Sequence, residues 1–352
     1  MTASWRRIAS LLGLVAVLGA SGLAAQAPSV SVSGVIYAQY LYQLNSDSTL
    51  LPSGGHQNNF DITRAYLNAI GKFGGGVQAR VTTDITRPAN SYLAVRLKYA
   101  YGAWNPEGSA LTYKLGLFTT PWLDWEEALW DYRMQGAMAL DRNGYLTSSD
   151  YGAGVDGSWG YDRVNMQVGV FDGEGYGGAP GDQRKDIEGR VSVKLVNTDL
   201  GGRVGGLRIT GYAGYGKPTT GGQRERYIGM LSYKSKAVTL AAEYARMTDS
   251  TTGGGAVTAV AHRAGQMISA YGVLNIPDSK VGVIGRVDIF DPNTANNSAA
   301  TNSDRQTRII GGLSYQLSSN LRMLADIDHV TFQGGGKTPT SSTAYLQAQV
   351  TY

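Results

Sequence analysis

The stretch Gly76-Val77-Gln78-Ala79-Arg80-Val81-Thr82-Thr83-Asp84-Ile85-Thr86-Arg87 decides the fold. Val77, Ala79, Val81, Thr83 and Ile85 alternate with Gln78, Arg80, Thr82, Asp84 and Thr86, which gives a strand one oily face and one wet face. In a soluble sandwich the apolar face would close on a dry core. In a membrane barrel the apolar face meets lipid, and a water-filled interior accepts charges such as Arg80 and Asp84 without burying them.

The same period recurs in both directions along the chain. Between Arg163 and Phe171, Val164, Met166, Val168 and Val170 alternate with Asn165, Gln167 and Gly169. The pattern predicts sixteen strands at 30–44, 58–73, 76–87, 91–104, 110–119, 149–160, 162–172, 184–195, 206–215, 224–235, 237–247, 263–276, 280–290, 305–317, 320–331 and 342–352. Two of them, 224–235 and 263–276, do not sort their faces cleanly.

Connections alternate in length. Tight turns such as Gly74-Gly75, Asn105-Pro106-Glu107-Gly108, Ser235-Lys236 and Ser318-Ser319-Asn320 alternate with long polar segments at 45–57, 120–148, 172–183, 248–262, 291–304 and 333–341. Short periplasmic turns, longer extracellular loops and an even number of strands are the asymmetry of an outer-membrane barrel. The link 196–205 is the exception, longer than a tight turn yet on the periplasmic side. The fold class is therefore all-β, a transmembrane antiparallel barrel of about sixteen strands in the bacterial outer membrane.

Bulk properties agree. Arg6 and Arg7 precede an apolar run over 8–23, and the small residues Ala24, Ala25 and Ala27 follow, which reads as a signal peptide over 1–25 with one barrel domain over 26–352. Forty-eight glycines and twenty-two tyrosines against six phenylalanines suit curved sheets and membrane interfaces. Cysteine is absent, so hydrogen bonding must hold the fold. The formal charge of +4 includes Arg6 and Arg7, and no basic patch argues for nucleic acid. The last strand places Ala344, Leu346, Ala348, Val350 and Tyr352 on one face and ends on an aromatic, resembling the signal read by the barrel-insertion machinery.

The third outer loop, 120–148, has hydrophobic substance in Trp122, Trp125, Leu129, Trp130 and Met134, and 124–133 can form a short helix with Asp124 as its N-cap. Those apolar groups need a surface, so the loop is expected to fold into the lumen and narrow it. Its constriction candidates are Trp125, Glu126, Glu127, Asp131, Arg133 and Arg142. The wet faces supply the pore-lining candidates Arg64, Arg80, Arg96, Lys98, Lys114, Arg163, Arg190, Arg208, Arg286, Arg322, Asp84 and Asp288, with Asp186, Glu188 and Asp326 on the same parity.

The segments Phe60-Asp61-Ile62-Thr63-Arg64-Ala65-Tyr66-Leu67-Asn68-Ala69-Ile70-Gly71-Lys72, Tyr113-Lys114-Leu115-Gly116-Leu117-Phe118-Thr119-Thr120-Pro121, Ser148-Ser149-Asp150-Tyr151-Gly152 and Arg286-Val287-Asp288-Ile289-Phe290-Asp291-Pro292-Asn293 resemble the phosphate-selective porin O and P family. The resemblance implies a sixteen-stranded channel, usually trimeric, whose third loop enters the lumen and whose positive lining favours anions. The family's phosphate-binding lysines and arginine ladder have no residue-by-residue counterpart. The loop holds Arg133 and Arg142 against Asp124, Glu126, Glu127, Asp131 and Asp141, which argues against tight phosphate selectivity; the basic wall candidates outnumber the acidic ones and offset it, so the expectation is a weak anion preference or little selectivity.

The expected role is passive diffusion of small hydrophilic or anionic solutes, in contact with outer-membrane lipid and without cofactor. The alternatives are a barrel hydrolase and an anchor or adhesin. A hydrolase needs a nucleophile, a base and an orienting group, and the histidines His56, His262 and His329 stand by no recognisable nucleophile motif. No metal-ligand spacing is present. The stretch Gly173 to Gly181 reads as a flexible outer loop.

Overall fold

A computed structural model of the protein describes residues 27–45, 55–88, 92–178, 183–217, 222–252, 260–296, 304–333 and 340–352. The expected signal peptide lies outside them, as do parts of the outer segments. Sixteen strands are present among the described residues: β1 (Ser29–Gln43), β2 (Asn58–Lys72), β3 (Val77–Thr86), β4 (Ala94–Trp104), β5 (Leu111–Thr119), β6 (Ser149–Trp159), β7 (Val164–Phe171), β8 (Asp186–Val196), β9 (Gly206–Gly216), β10 (Gln223–Lys234), β11 (Val238–Thr252), β12 (Val260–Asn275), β13 (Val281–Asp291), β14 (Gln306–Ser318), β15 (Leu321–Phe332) and β16 (Ser341–Thr351). Each pairs antiparallel with its chain neighbours, and β1 pairs with β16 to close the barrel.

The last residue extends the closing seam of β1 and β16 beyond Val35 and Thr351. The Gly34 N–H donates to the Tyr352 carbonyl at 2.8 Å and the Tyr352 N–H returns a bond at 3.2 Å. The Tyr352 ring lies over Gly34, and a Cβ there would stand 2.5 Å from the Tyr66 backbone carbonyl as well as against the ring, so the position favours glycine.

The outward face is apolar, with Val95, Leu115, Ile209, Leu231, Leu240 and Leu313 all more than half exposed. Aromatic rims bound this belt. Trp104, Tyr113, Trp159, Tyr161, Tyr233, Tyr315 and Tyr352 stand toward the end with short turns, and Tyr42, Phe60, Tyr92 and Tyr215 toward the other. An apolar band between two aromatic girdles is a lipid-facing surface, and the barrel spans its membrane by strands. No described helix is long and apolar enough to cross a membrane.

The inward face differs by sector. On β9 to β15 it carries Tyr212, Ile228, Met230, Ala245, Met247, Met267, Tyr271, Val273, Ile284, Ile310 and Leu324, all buried. This explains the poor sorting of 224–235 and 263–276. β10 and β12 carry apolar residues on both faces, Ile228 and Met230 or Met267 and Val273 inward among buried polar groups, because lipid covers one face and protein covers the other. β11 and β12 also run further than the alternation indicated, pairing out to Thr252 and Val260 where a loop was expected from 248.

Candidate functional site: the constriction

The third outer loop, L3 (120–148), folds inside the barrel. It opens with helix α1 (Pro121–Leu129), whose first residue is a proline already set at helical φ. The N-cap is Thr120, not Asp124. The Thr120 hydroxyl donates to the Thr147 carbonyl and closes the stem of the loop, while Asp124 lies in the first helical turn. Trp122, Trp125, Glu126 and Leu129, spaced for one helical face, are buried with Leu123. Trp130, Tyr132, Met134, Met138 and Leu140 continue the apolar surface beyond the helix, and all of it packs on the inward residues of β9 to β15. Trp122 meets Tyr212 at 5.9 Å between ring centroids, and Trp130 meets Tyr271 edge-on at 5.3 Å.

Polar groups pin the loop along its course. Arg190 donates to the Pro121 carbonyl at 3.1 Å and lies 4.3 Å over the Trp125 ring. The link 196–205 explains its unexpected length here, because its Arg203 reaches in to pair with the Asp124 carboxylate and to bond the Asp124 carbonyl at 2.8 Å. Burial works to raise the Asp124 carboxyl, yet the Arg203 guanidinium holds it below the usual range. Further along, Tyr132 bonds Ser314 at 2.7 Å, and Gln347 donates to the Met134 carbonyl at 2.8 Å.

Lys234 closes the other end of α1. Its ammonium donates to the Ala128 and Leu129 carbonyls at 3.0 Å each and to Asp131 at 2.9 Å, so it satisfies the exposed end of the helix dipole and a carboxylate together. Lys234→Met keeps most of the stem volume and removes these bonds. We expect L3 docking to weaken by about 1–3 kcal/mol, read as an acceleration of tryptic cleavage within L3 of roughly five- to 150-fold.

The opposite wall, β1 to β5, is basic and tyrosine-rich. Arg64 lies 4.7 Å over Tyr66 and 4.0 Å from Asp84, and Arg80 lies 4.5 Å over Tyr99 with bonds to Thr82 and Asn68. Arg96 stands 3.9 Å from Asp84 and donates to the Tyr176 hydroxyl at 2.6 Å. Lys98 donates to Ser148 and lies 4.1 Å over the Tyr176 ring. A β-bulge sets this arrangement. Thr82 pairs with Tyr99 and Thr83 with Leu97, which leaves Lys98 between them unpaired, and the adjacent Lys98 and Tyr99 are both buried.

From L3, Glu127 and Asp141 approach this wall with Arg133 beside them, the Arg133 guanidinium standing 2.6 Å from Glu127 and 3.8 Å from Asp141. Burial pushes the Asp141 carboxyl up, against the pull of Arg133, Lys98 and Arg64. Burial likewise raises the Tyr176 hydroxyl, against Arg96 and Arg64. The gap between loop and wall is thus lined by cations on one side and mixed charge, mainly acidic, on the other.

The sequence-derived candidates divide. Arg64, Arg80, Arg96, Lys98 and Asp84 gather on the wall facing L3, and Lys114 pairs with Asp156 farther along β5. Arg190, Arg208 and Arg286 point inward but are almost fully buried under L3 or in the wall that it covers, and so do not line open space; Asp288 is buried with them, bonded by Arg286 at 2.9 Å and Arg142 at 3.2 Å. Arg163 sits exposed in the turn before β7, at the rim of the barrel. Arg322 donates to the Asp131 carbonyl at 3.2 Å and lies 4.8 Å over Tyr132.

Of the loop candidates, Glu127 and Arg133 face the wall, Asp131 serves Lys234, and Trp125 and Glu126 are buried against β8 to β13. Parity alone cannot reveal which inward residues the loop covers. The sequence pattern does not single out Tyr37, Tyr66 or Tyr176, and gives Asp141 only as part of the loop's acidic balance. Tyr176 lies in the glycine-rich stretch read as a flexible loop, yet its N–H bonds the Ser149 carbonyl at 3.1 Å and its ring turns inward between Arg96 and Lys98.

Two histidines have defined partners. His56 bonds the Gln43 carbonyl at 2.8 Å and His329 bonds Ser342 at 2.7 Å, without a carboxylate orienting the His329 ring among the described residues. No group of three or more metal-ligating side chains is present among the described residues.

No family model matches the chain, and no curated protein matches it. Solved structures do. An anion-selective porin from Comamonas acidovorans aligns with a TM-score of 0.68 at 12% identity, covering 92% of this chain and 100% of that one. OmpT, an outer membrane protein of Vibrio cholerae, aligns with a TM-score of 0.64 at 11% identity, covering 93% and 98%. OmpF of Salmonella typhi, solved with daunomycin, gives 0.63 at 12% identity, covering 92% and 97%. The chain has the sixteen-stranded fold of bacterial outer-membrane porins, with its third loop packed inside the barrel.

Proposed function

We propose that the protein is an outer-membrane porin, a water-filled channel for passive diffusion of small hydrophilic solutes and ions with a weak preference for anions. The observation that carries this is the charged gap between L3 and the β1–β5 wall. Arg64, Arg80 and Arg96 stand partly exposed there against Glu127 and Asp141, with Lys98, Arg133 and Asp84 buried directly behind them, so cations outnumber anions while a transverse field crosses the passage. Low-dielectric walls magnify such a field. The likeness of fold to an anion-selective porin supports the reading. A signal peptide over 1–25 would deliver the chain for export, and the strand ending at Tyr352 would present it to the barrel-insertion machinery. A homotrimer is the proposed assembly, supported by the trimer form of the Vibrio cholerae neighbour.

The test is single-channel recording in a planar bilayer across a salt gradient. Stepwise conductance with a reversal potential of anionic sign is expected. Phosphate is the anion to add, given the sequence resemblance to phosphate-selective porins, and concentration-dependent block would assign it a site. A well-folded barrel without conductance would overturn the porin reading.

A further inference from the structure

We infer that Glu126 of α1 and Glu243 of β11 form a proton-binding site that latches L3 to the barrel wall, docked while the pair holds a proton and loosened when it is lost. As a gate this rests on the channel reading above; as a latch it is a property of the loop itself. Glu126 is fully buried and Glu243 is 3% exposed. Their carboxyls face one another where α1 crosses β11, and none of their four oxygens has a hydrogen-bond donor among the described residues. Two carboxylates enclosed in this way cannot both keep their charge, because desolvation and mutual repulsion act together.

No cation among the described residues forms an ion pair with either glutamate that would substitute for the proton. Glu243 lies in an inward row with Met230, Ser269 and Asp288, next to the row of Ser232, Ala241, Tyr271 and Arg286. The charged and titratable groups facing the pair are Tyr271 from β12, Arg286 and Asp288 from β13 and Arg133 from L3. Arg286 directs its Nε to Asp288 at 2.9 Å and reaches neither glutamate. Asp288 is further held by Ser269 and Arg142.

Burial raises the Glu126 carboxyl to about 7, against the pull of Arg286. A carboxyl raised in the docked state favours docking when neutral, so docking weakens as pH climbs from the ordinary glutamate value toward and past about 7. Asp124 works in the opposite sense. Held low by Arg203, it supports docking above the usual aspartate range and loses that contribution in strong acid. The loop is therefore held most firmly at mildly acidic pH.

Tryptophan emission reads the latch directly, because Trp122, Trp125 and Trp130 lie buried in L3 while Trp104 and Trp159 stand on the outer surface. On raising pH from 5 to 9, the full barrel folded in lipid should show a red shift of emission and more frequent closures in the bilayer. The undocked fraction should rise by up to about tenfold per pH unit for the one proton concerned. Glu243→Gln and, independently, Glu126→Gln should flatten both responses, with folding of each checked by circular dichroism. No response in the natural protein, or one that survives in both variants, overturns the latch. A folded barrel with the emission change but no conductance would sustain the latch while removing the channel reading.

Discussion

Trp130→Ala should detach L3 from the wall to the largest extent of any single substitution in the barrel. The indole is fully buried between Tyr132 and Tyr271 with Arg286 at 5.9 Å from its ring, so truncation leaves a cavity among rigid strands that cannot collapse to fill it. Large aromatic truncations of this kind remove about 3–5 kcal/mol. Because the barrel is closed by its own hydrogen bonds, the loss falls on docking of the loop and not on the sheet. The undocked fraction should rise by a hundredfold or more, seen as tryptic cleavage after Arg133 and Arg142 and as noisy conductance. Unchanged proteolysis and a quiet channel would mean that the polar anchors alone, Lys234, Arg203 and Arg190, hold the loop.

Arg80→Glu combined with Arg96→Glu should invert the sign of ion selectivity. Neither residue packs under L3, and each remains partly exposed on the wall, so the change acts on the field more than on the fold. With both reversed, Arg64, Lys98 and Arg133 would face Asp84, Glu127, Asp141 and the two new carboxylates. The anion-to-cation permeability ratio should fall by on the order of tenfold at low salt, less at high salt where the charges are screened. The reversal potential measures it. A ratio that does not move would place the selective step elsewhere in the passage.

Much of this architecture is written in the sequence because a barrel in lipid imposes a local rule. Every strand must turn apolar side chains outward and may turn polar ones inward, so the alternation in Val77–Thr86 or Val164–Phe171 identifies a strand without knowledge of its neighbours. The tryptophans and leucines of 120–148 likewise required a surface, but a lid packed over the rim would have met that need as well as the interior does, and only the fold decides for the interior. Even the failure of alternation in 224–235 and 263–276 carried information, since those strands form the surface that the loop covers.

Tertiary structure alone decided which inward residues meet the passage. Parity gives Arg80 and Arg208 the same standing, but L3 lies over the sector that holds Arg208, and nothing local to β9 records where a loop some eighty residues earlier comes to rest. The bulge that turns both Lys98 and Tyr99 inward is a mismatch of register between β3 and β4, invisible in either strand by itself. The meeting of Glu126 with Glu243 belongs to the same class. Each glutamate is an ordinary polar residue in its own segment, and becomes a buried carboxyl pair only when α1 descends onto β11, because burial and proximity are properties of packing and not of sequence.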